Sequence, residues 1–232
     1  NAADGESGFQ TVSGEKFVEG SEQDVIGDSI WSKKGIPHGS YESFYSNGEL
    51  EVRGNYKNGR DHGLWEEFYE DGQLQSRDNY KNGKQDGLQE YFYLYGQVAK
   101  RENFKNGQPE GLHEIFHGNG HVRIRENFKN GKKEGLTEIF NAKGQLKIRK
   151  NYKNWKQDGL QEDFHANGQL WIRYNYKNGK EHGLREVFYQ NGQLGHGINF
   201  KNGQPEGHWE YFDEDGNLTK TGEYNNGKLI EE

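Results

Sequence analysis

The chain has 232 residues, with 30 basic side chains against 37 acidic ones and a formal net charge of −7. That balance argues against a nucleic-acid binder, which needs a basic footprint to displace counterions from phosphate. No apolar run is long enough to predict a membrane-spanning helix, and the absence of cysteine removes disulfides, thiolate metal sites and cysteine nucleophiles.

Residues 1–30 carry no repeat. Gly5, Gly8, Gly14, Gly20 and Gly27 alternate there with Phe9, Phe17, Val25 and Ile26, a pattern expected of an irregular N-terminal capping segment. Residues 31–232 form the second region. Within it, from about Ile36 to Gly227, one unit of 24 residues recurs eight times. The second copy, Arg60 to Gly83, shows the plan. An apolar and acidic run (Leu64-Trp65-Glu66-Glu67-Phe68-Tyr69) precedes a turn at Asp71-Gly72; a second run, Leu74 to Tyr80, precedes a turn at Asn82-Gly83. Asn-Gly and Asp-Gly between such runs predict two-residue hairpin turns with φ > 0 at both central residues. The prediction is all-β: an elongated open antiparallel meander of about eight 24-residue β-hairpins, each burying its faces against its neighbours. Hydrophobic residues make up only 29% of the chain, low enough to raise disorder. The fixed interval of Phe44, Phe68, Phe92 and their successors to Phe212 rules that out, and a thin aromatic core is expected, supplied in part by the column Tyr56, Tyr80, Phe104 onward. Asn217 to Glu232 is expected to cap the far end.

A glutamate stands at one slot in all eight copies (Glu42, Glu66, Glu90, Glu114, Glu138, Glu162, Glu186, Glu210), and an arginine accompanies it in six (Arg53, Arg77, Arg101, Arg125, Arg149, Arg173). If the tip loop has two residues, Glu66 faces Arg77 directly, and the same arithmetic pairs the other five. Such cross-strand pairs fix register and contribute roughly 0.2–1 kcal/mol each. In the last two copies the arginine slot holds Gly197 and Thr221, so Glu186 and Glu210 are expected to be unpaired and to form an exposed acidic site.

His113-Glu114-Ile115-Phe116-His117 spells the zinc-protease motif H-E-x-x-H. That motif works on a helix, whereas here it falls in a strand slot, where four residues separate the histidines by about 13 Å. No metal or cofactor is therefore expected, and no catalytic set stands out. Departures from the repeat are the candidate partner-binding residues. Trp155 replaces a turn glycine, where φ > 0 strains a bulky side chain. Trp65, Trp171 and Trp209 occupy slots that hold polar or small residues elsewhere, and tryptophan is enriched at binding hot spots.

The recurring Gly-Leu-x-Glu-x-Phe-Tyr-x-x-Gly-Gln-Leu…Arg-x-Asn-Tyr-Lys-Asn-Gly-Lys-x-Asp-Gly resembles the bacterial variant of the membrane occupation and recognition nexus (MORN) repeat, found in chains known as YwqK-type antitoxins. The resemblance covers about 190 residues. It implies a non-catalytic role in protein–protein interaction, with a protein partner of unknown identity. An exported or surface scaffold of a bacterium is the first expectation, consistent with the absence of methionine at position 1. A cytoplasmic antitoxin or immunity protein is the second. Phospholipid binding, proposed for such arrays, ranks third, because this acidic chain has no basic lipid-facing stripe.

Overall fold

The computed structural model describes residues 36–230 and, as backbone only, Gln10–Thr11 and Ile30–Trp31, which form a short antiparallel pair. The expected capping segment 1–30 otherwise lies outside the described residues. By contact the chain falls into two units, Asn1–Glu110 and Gly111–Glu232. In the first, hairpins are built from β1 (Gly39–Phe44) and β2 (Leu50–Lys57), β3 (Gly63–Phe68) and β4 (Leu74–Lys81), and β5 (Gly87–Phe92) and β6 (Val98–Lys105). In the second they are β7 (Gly111–Phe116) and β8 (Val122–Lys129), β9 (Lys132–Phe140) and β10 (Leu146–Lys153), β11 (Lys156–Phe164) and β12 (Leu170–Lys177), β13 (Gly183–Phe188) and β14 (Leu194–Lys201), and β15 (Gln204–Phe212) and β16 (Leu218–Asn225), followed by β17 (Lys228–Ile230). Within each unit these strands pair antiparallel with their chain neighbours. Both units are all-β hairpin meanders, as the 24-residue period predicts.

The two kinds of turn differ. Asn82 and Gly83 take φ of 53° and 76°, and Lys81 faces Lys84, which is the expected two-residue closing turn. The tip is not a two-residue loop. The Tyr69 N–H donates to the Gln73 carbonyl and the Gly72 N–H to the Tyr69 carbonyl, each at 2.8 Å; only Gly72 is left-handed, at φ 81°. This is a three-residue loop, a tight turn followed by a bulge. The predicted register survives because the bulge between Glu67 and Phe68 restores the residue that the longer loop takes up, so Glu66 still faces Arg77.

Successive tips are tied by side chains. The Tyr45 and Tyr69 hydroxyls donate to the carbonyls of Phe68 and Phe92, at 2.6 and 2.8 Å, and Tyr189 does the same to Phe212 at 2.8 Å. His117 and His165 fill the same slot, with Nε2 at 3.1 and 3.0 Å from the carbonyls of Phe140 and Phe188. The last hairpin has Asp213 there, and its carboxylate accepts from Asn217 within its own loop. Asn141 fills the slot in the same manner, its Oδ1 accepting from Lys143 and Gln145 within its own loop.

The expected aromatic core is corrected in one respect. The most deeply buried side chains are Gln89, Thr137 and Ser76, while the tyrosine and phenylalanine columns, Phe116 apart, are half-buried. In a meander whose hairpins pack side by side, a large ring lies across its same-face neighbours and keeps one side toward solvent. Buried polar groups lose their water and favour local bonds. Gln89 makes them: its carbonyl accepts from Asn79 N–H and its amide donates to Asn79 O, both at 3.0 Å. Ser76 bonds Asp78 at 3.0 Å, whereas the Thr137 hydroxyl has no partner among the described residues.

Candidate functional site

Alternation of side chains divides each hairpin between two faces. One face repeats with little change: Leu64, Glu66 and Phe68 on the first strand, Asn79 and Arg77 on the second. Here the ladder goes further than the tip arithmetic predicts, because Arg53, Arg77, Arg125, Arg149 and Arg173 also face the glutamate across the closing turn. Glu66 lies between Arg53 at 2.6 Å and Arg77 at 3.1 Å and is 5% exposed. Burial alone would raise the pKa of this carboxyl, but hydrogen bonds and charge from the two arginines outweigh it and hold the group below its ordinary value. Glu162 likewise lies between Arg149 at 2.9 Å and Arg173 at 3.3 Å.

This second contact overturns the expectation for Glu186. Arg173, from the preceding hairpin, reaches it at 3.2 Å, so the glycine opposite, Gly197, does not leave it unpaired. Glu210 differs. It faces Gly197 and Thr221, and the His208 ring nitrogen lies 3.4 Å from its carboxylate.

The tryptophans part company. Trp65 is not an exposed anchor. Its half-buried ring packs over Gly54 between Tyr41 and Tyr56, with centroids at 5.8 and 5.0 Å; with no side chain at Gly54, the indole fills the space. Trp209 uses Gly222 in the same way. Trp155 is 56% exposed, keeps the closing-turn geometry at φ 69° and meets Phe128 edge-on at 5.6 Å. Trp171 is 46% exposed. The H-E-x-x-H residues do not converge. His113 is buried against the Phe128 ring at 4.4 Å on one face, whereas Glu114 pairs with Arg125 at 2.9 Å on the other.

The opposite face is where the repeats differ, and near the end of the second unit it forms a trough. Register places Arg185 opposite Ile198, Val187 opposite His196, Tyr211 opposite Lys220 and Trp209 opposite Gly222. Two hollows open there, of about 660 and 470 Å³, and both are lined by Tyr189, His196 and Tyr211. The larger adds Arg185, Trp209, Lys220 and Tyr224; the smaller adds Trp171, Val187 and Phe188. His196 stacks on Tyr211 at 4.7 Å. Burial, then the charge of Arg185, lowers the His196 pKa, so the ring is neutral at pH 7. Arg185 lies over the Phe200 ring at 4.5 Å, with one guanidinium nitrogen 3.5 Å from Glu181 and a buried Nε that has no acceptor. Of the residues singled out in the sequence, Trp171 and Trp209 line this trough, while Trp65 and Trp155 do not. Arg185, His196, Tyr211 and Lys220 went unnoticed. The signal for them is the set of slots at which the copies disagree: Arg185, for example, aligns with Tyr41, Trp65, Gln89, His113, Thr137, Gln161 and Trp209.

A family model for the MORN repeat variant matches residues 37–58, 61–82, 109–130, 133–154, 157–178, 181–202 and 205–226, about two thirds of the chain. The chain belongs to the MORN repeat variant family. A comparison with curated proteins finds no match. The MORN matches pass over 85–106, the hairpin whose tip reads Tyr93-Leu94-Tyr95-Gly96 in place of the usual Asn- or Asp-Gly. Leu94 and Tyr95 are each 57% exposed there, with Tyr95 stacked on Tyr93 at 5.2 Å.

Proposed function

We propose that this MORN-variant chain is a non-enzymatic scaffold that binds a protein partner through the trough on its last three hairpins. One observation carries the reading: the departures from the repeat on the variable face gather there into a concave, aromatic-lined surface. Anchors of this kind, Trp171, Trp209 and Tyr211, are the side chains that dominate protein interfaces. The ladder glutamates support the absence of chemistry, because from Glu114 to Glu186 each faces or bonds an arginine and so lacks the freedom of a general base. Trp155 is a second candidate anchor, on the closing-turn edge.

The test is affinity capture from cells of the source organism and its surroundings. The wild type is compared with a Trp171→Ala/Tyr211→Ala double variant and, separately, with Trp155→Gly. A protein retained by the wild type and lost from the double variant is the expected result. Equal retention by both would remove the trough from the interaction. A secreted partner would favour the exported scaffold, and a cognate toxin the immunity reading. Flotation with anionic vesicles, without protein capture, would favour the lipid-binding reading.

A further inference from the structure

Resting on that reading, we infer that the trough accepts an extended acidic segment of the partner. The segment's carboxylates would lie against Arg185 and Lys220, and a large apolar side chain would fill the Trp171 hollow.

The division of chemistry along the trough carries this. The larger hollow holds two cations, Arg185 and Lys220, and a single acid, Asp213. Asp213 is already committed: it accepts the Asn217 N–H at 2.8 Å, the Asn217 side-chain amide at 3.0 Å and the Asp215 N–H at 3.1 Å. Lys220, by contrast, has no ion-pair partner among the described residues. Arg185 has one guanidinium nitrogen 3.5 Å from Glu181, which does not line the hollow, and keeps a buried Nε without an acceptor; Phe200 beneath its guanidinium holds the plane in place. A locally cationic hollow on a chain of net charge −7 is therefore complementary to a carboxylate. The smaller hollow is different. Trp171, Val187 and Phe188 supply an apolar lining, and Glu214 its one acid. Because Tyr189, His196 and Tyr211 line both hollows, one extended chain can place an acid in the first and an apolar side chain in the second. A compact small molecule would use only one of them. Two cations are too few for a nucleic-acid backbone, which is bound through many phosphate contacts.

The probe is an array of blocked dodecapeptides in a Gly-Ser background. Each carries one Phe, Leu or Trp and two Glu at every relative spacing, with matched sets in which Lys or Gln replaces Glu. Retention confined to the Glu set is expected. The best peptide, titrated calorimetrically, should bind roughly fivefold or more weakly to Lys220→Glu, and more weakly still at raised salt. Lys220→Glu changes an exposed side chain and so keeps the fold, which circular dichroism checks; Arg185→Gln is the second variant, and Lys132→Glu controls for net charge. Equal retention of the Glu and Lys sets, no retention of any set, or preferential binding of an oligosaccharide such as cellohexaose would overturn the inference. The two readings fail separately. If the captured partner needs Trp171 and Tyr211 but not Lys220 or Arg185, the scaffold stands and the acidic segment falls. If it needs none of the four, the trough itself is not the interface.

Discussion

Gly54→Ala is a sharp test of how this sheet packs. A Cβ at Gly54 would sit 2.2, 2.4 and 2.5 Å from Cδ2, Cε2 and Cε3 of Trp65, where ordinary contact is 3.4–4 Å. The ring would have to retreat by about 1 Å, but Tyr41 and Tyr56 flank it with centroids at 5.8 and 5.0 Å. Overpacking of this kind costs about 1–3 kcal/mol. Gly54 does not have positive φ, so alanine recovers about 0.4–1 kcal/mol by restricting the unfolded chain, leaving a net loss of about 1–2 kcal/mol. The assay is urea denaturation followed by circular dichroism, run as a double-mutant cycle with Trp65→Gln, the residue that Gln89 supplies in the next copy. In the Trp65→Gln background the clash is gone, and Gly54→Ala should become neutral or mildly stabilising. An equal cost in both backgrounds would refute the packing argument. Gly222→Ala is the functional counterpart. Its Cβ would come within 2.6 Å of the Trp209 ring that lines the trough, so it should weaken partner binding, whereas Gly54→Ala should not.

Three further outcomes are expected. Glu66→Gln should cost about 1–2 kcal/mol at pH 7, since it leaves two half-exposed arginines facing a neutral group. The folded pKa of Glu66 is depressed, so its stabilisation is present above the unfolded value of about 4.3 and lost as pH falls through the folded value; a pH series should show the gap between wild type and variant closing in acid. Asp78 has the opposite sign. Burial raises its pKa against hydrogen bonds from Ser76 and Tyr91, and its Oδ1 is buried without a partner. Asp78→Asn should therefore stabilise the fold at pH 7, with the benefit disappearing below about pH 4, where the wild-type carboxyl is protonated in both states; a gap that does not vary with pH would contradict this. Trp155→Gly should be more stable than Trp155→Ala by about 1 kcal/mol, because both lose the Phe128 contact and only glycine accepts φ 69° without strain. Thermal denaturation of the pair measures it.

The period, both turn positions and the register of all six Glu–Arg pairs were legible in the sequence, because turn glycines and opposite charges at fixed spacing leave few alternatives. Apart from the length of the tip loop, the misreadings share one cause: the sequence arithmetic worked within a hairpin and not between hairpins. Glu186 looked unpaired because only the slot across its own tip was counted, while Arg173 approaches across the closing turn. Trp65 looked like a surface anchor because its space comes from Gly54, on the hairpin before. The tip tyrosines likewise act between hairpins: Tyr45, Tyr69 and Tyr189 donate their hydroxyls to a carbonyl of the next one. The buried Gln89 and Thr137 could not be foreseen from polarity. Their burial is a property of packing between strands.

The two faces of the repeat separate what holds the chain together from what it presents. On one face glutamate recurs in eight copies of eight and phenylalanine in eight of eight, because each copy must satisfy the same neighbours on both sides. On the other, the slot of Trp65 holds six different residue types and the slot facing it, that of Asp78, holds six. Packing alone does not require such variety, since one small polar pair such as Gln89 and Glu102 would serve every copy. Where the variable slots hold Ser76, Gln89 or Thr137 they are buried and make no recognition surface. Where they hold Arg185, Tyr211 and Lys220 they open into the trough. The repeat thus supplies a fixed register, and a change at a few slots of one face is enough to open a trough on an otherwise closed hairpin surface.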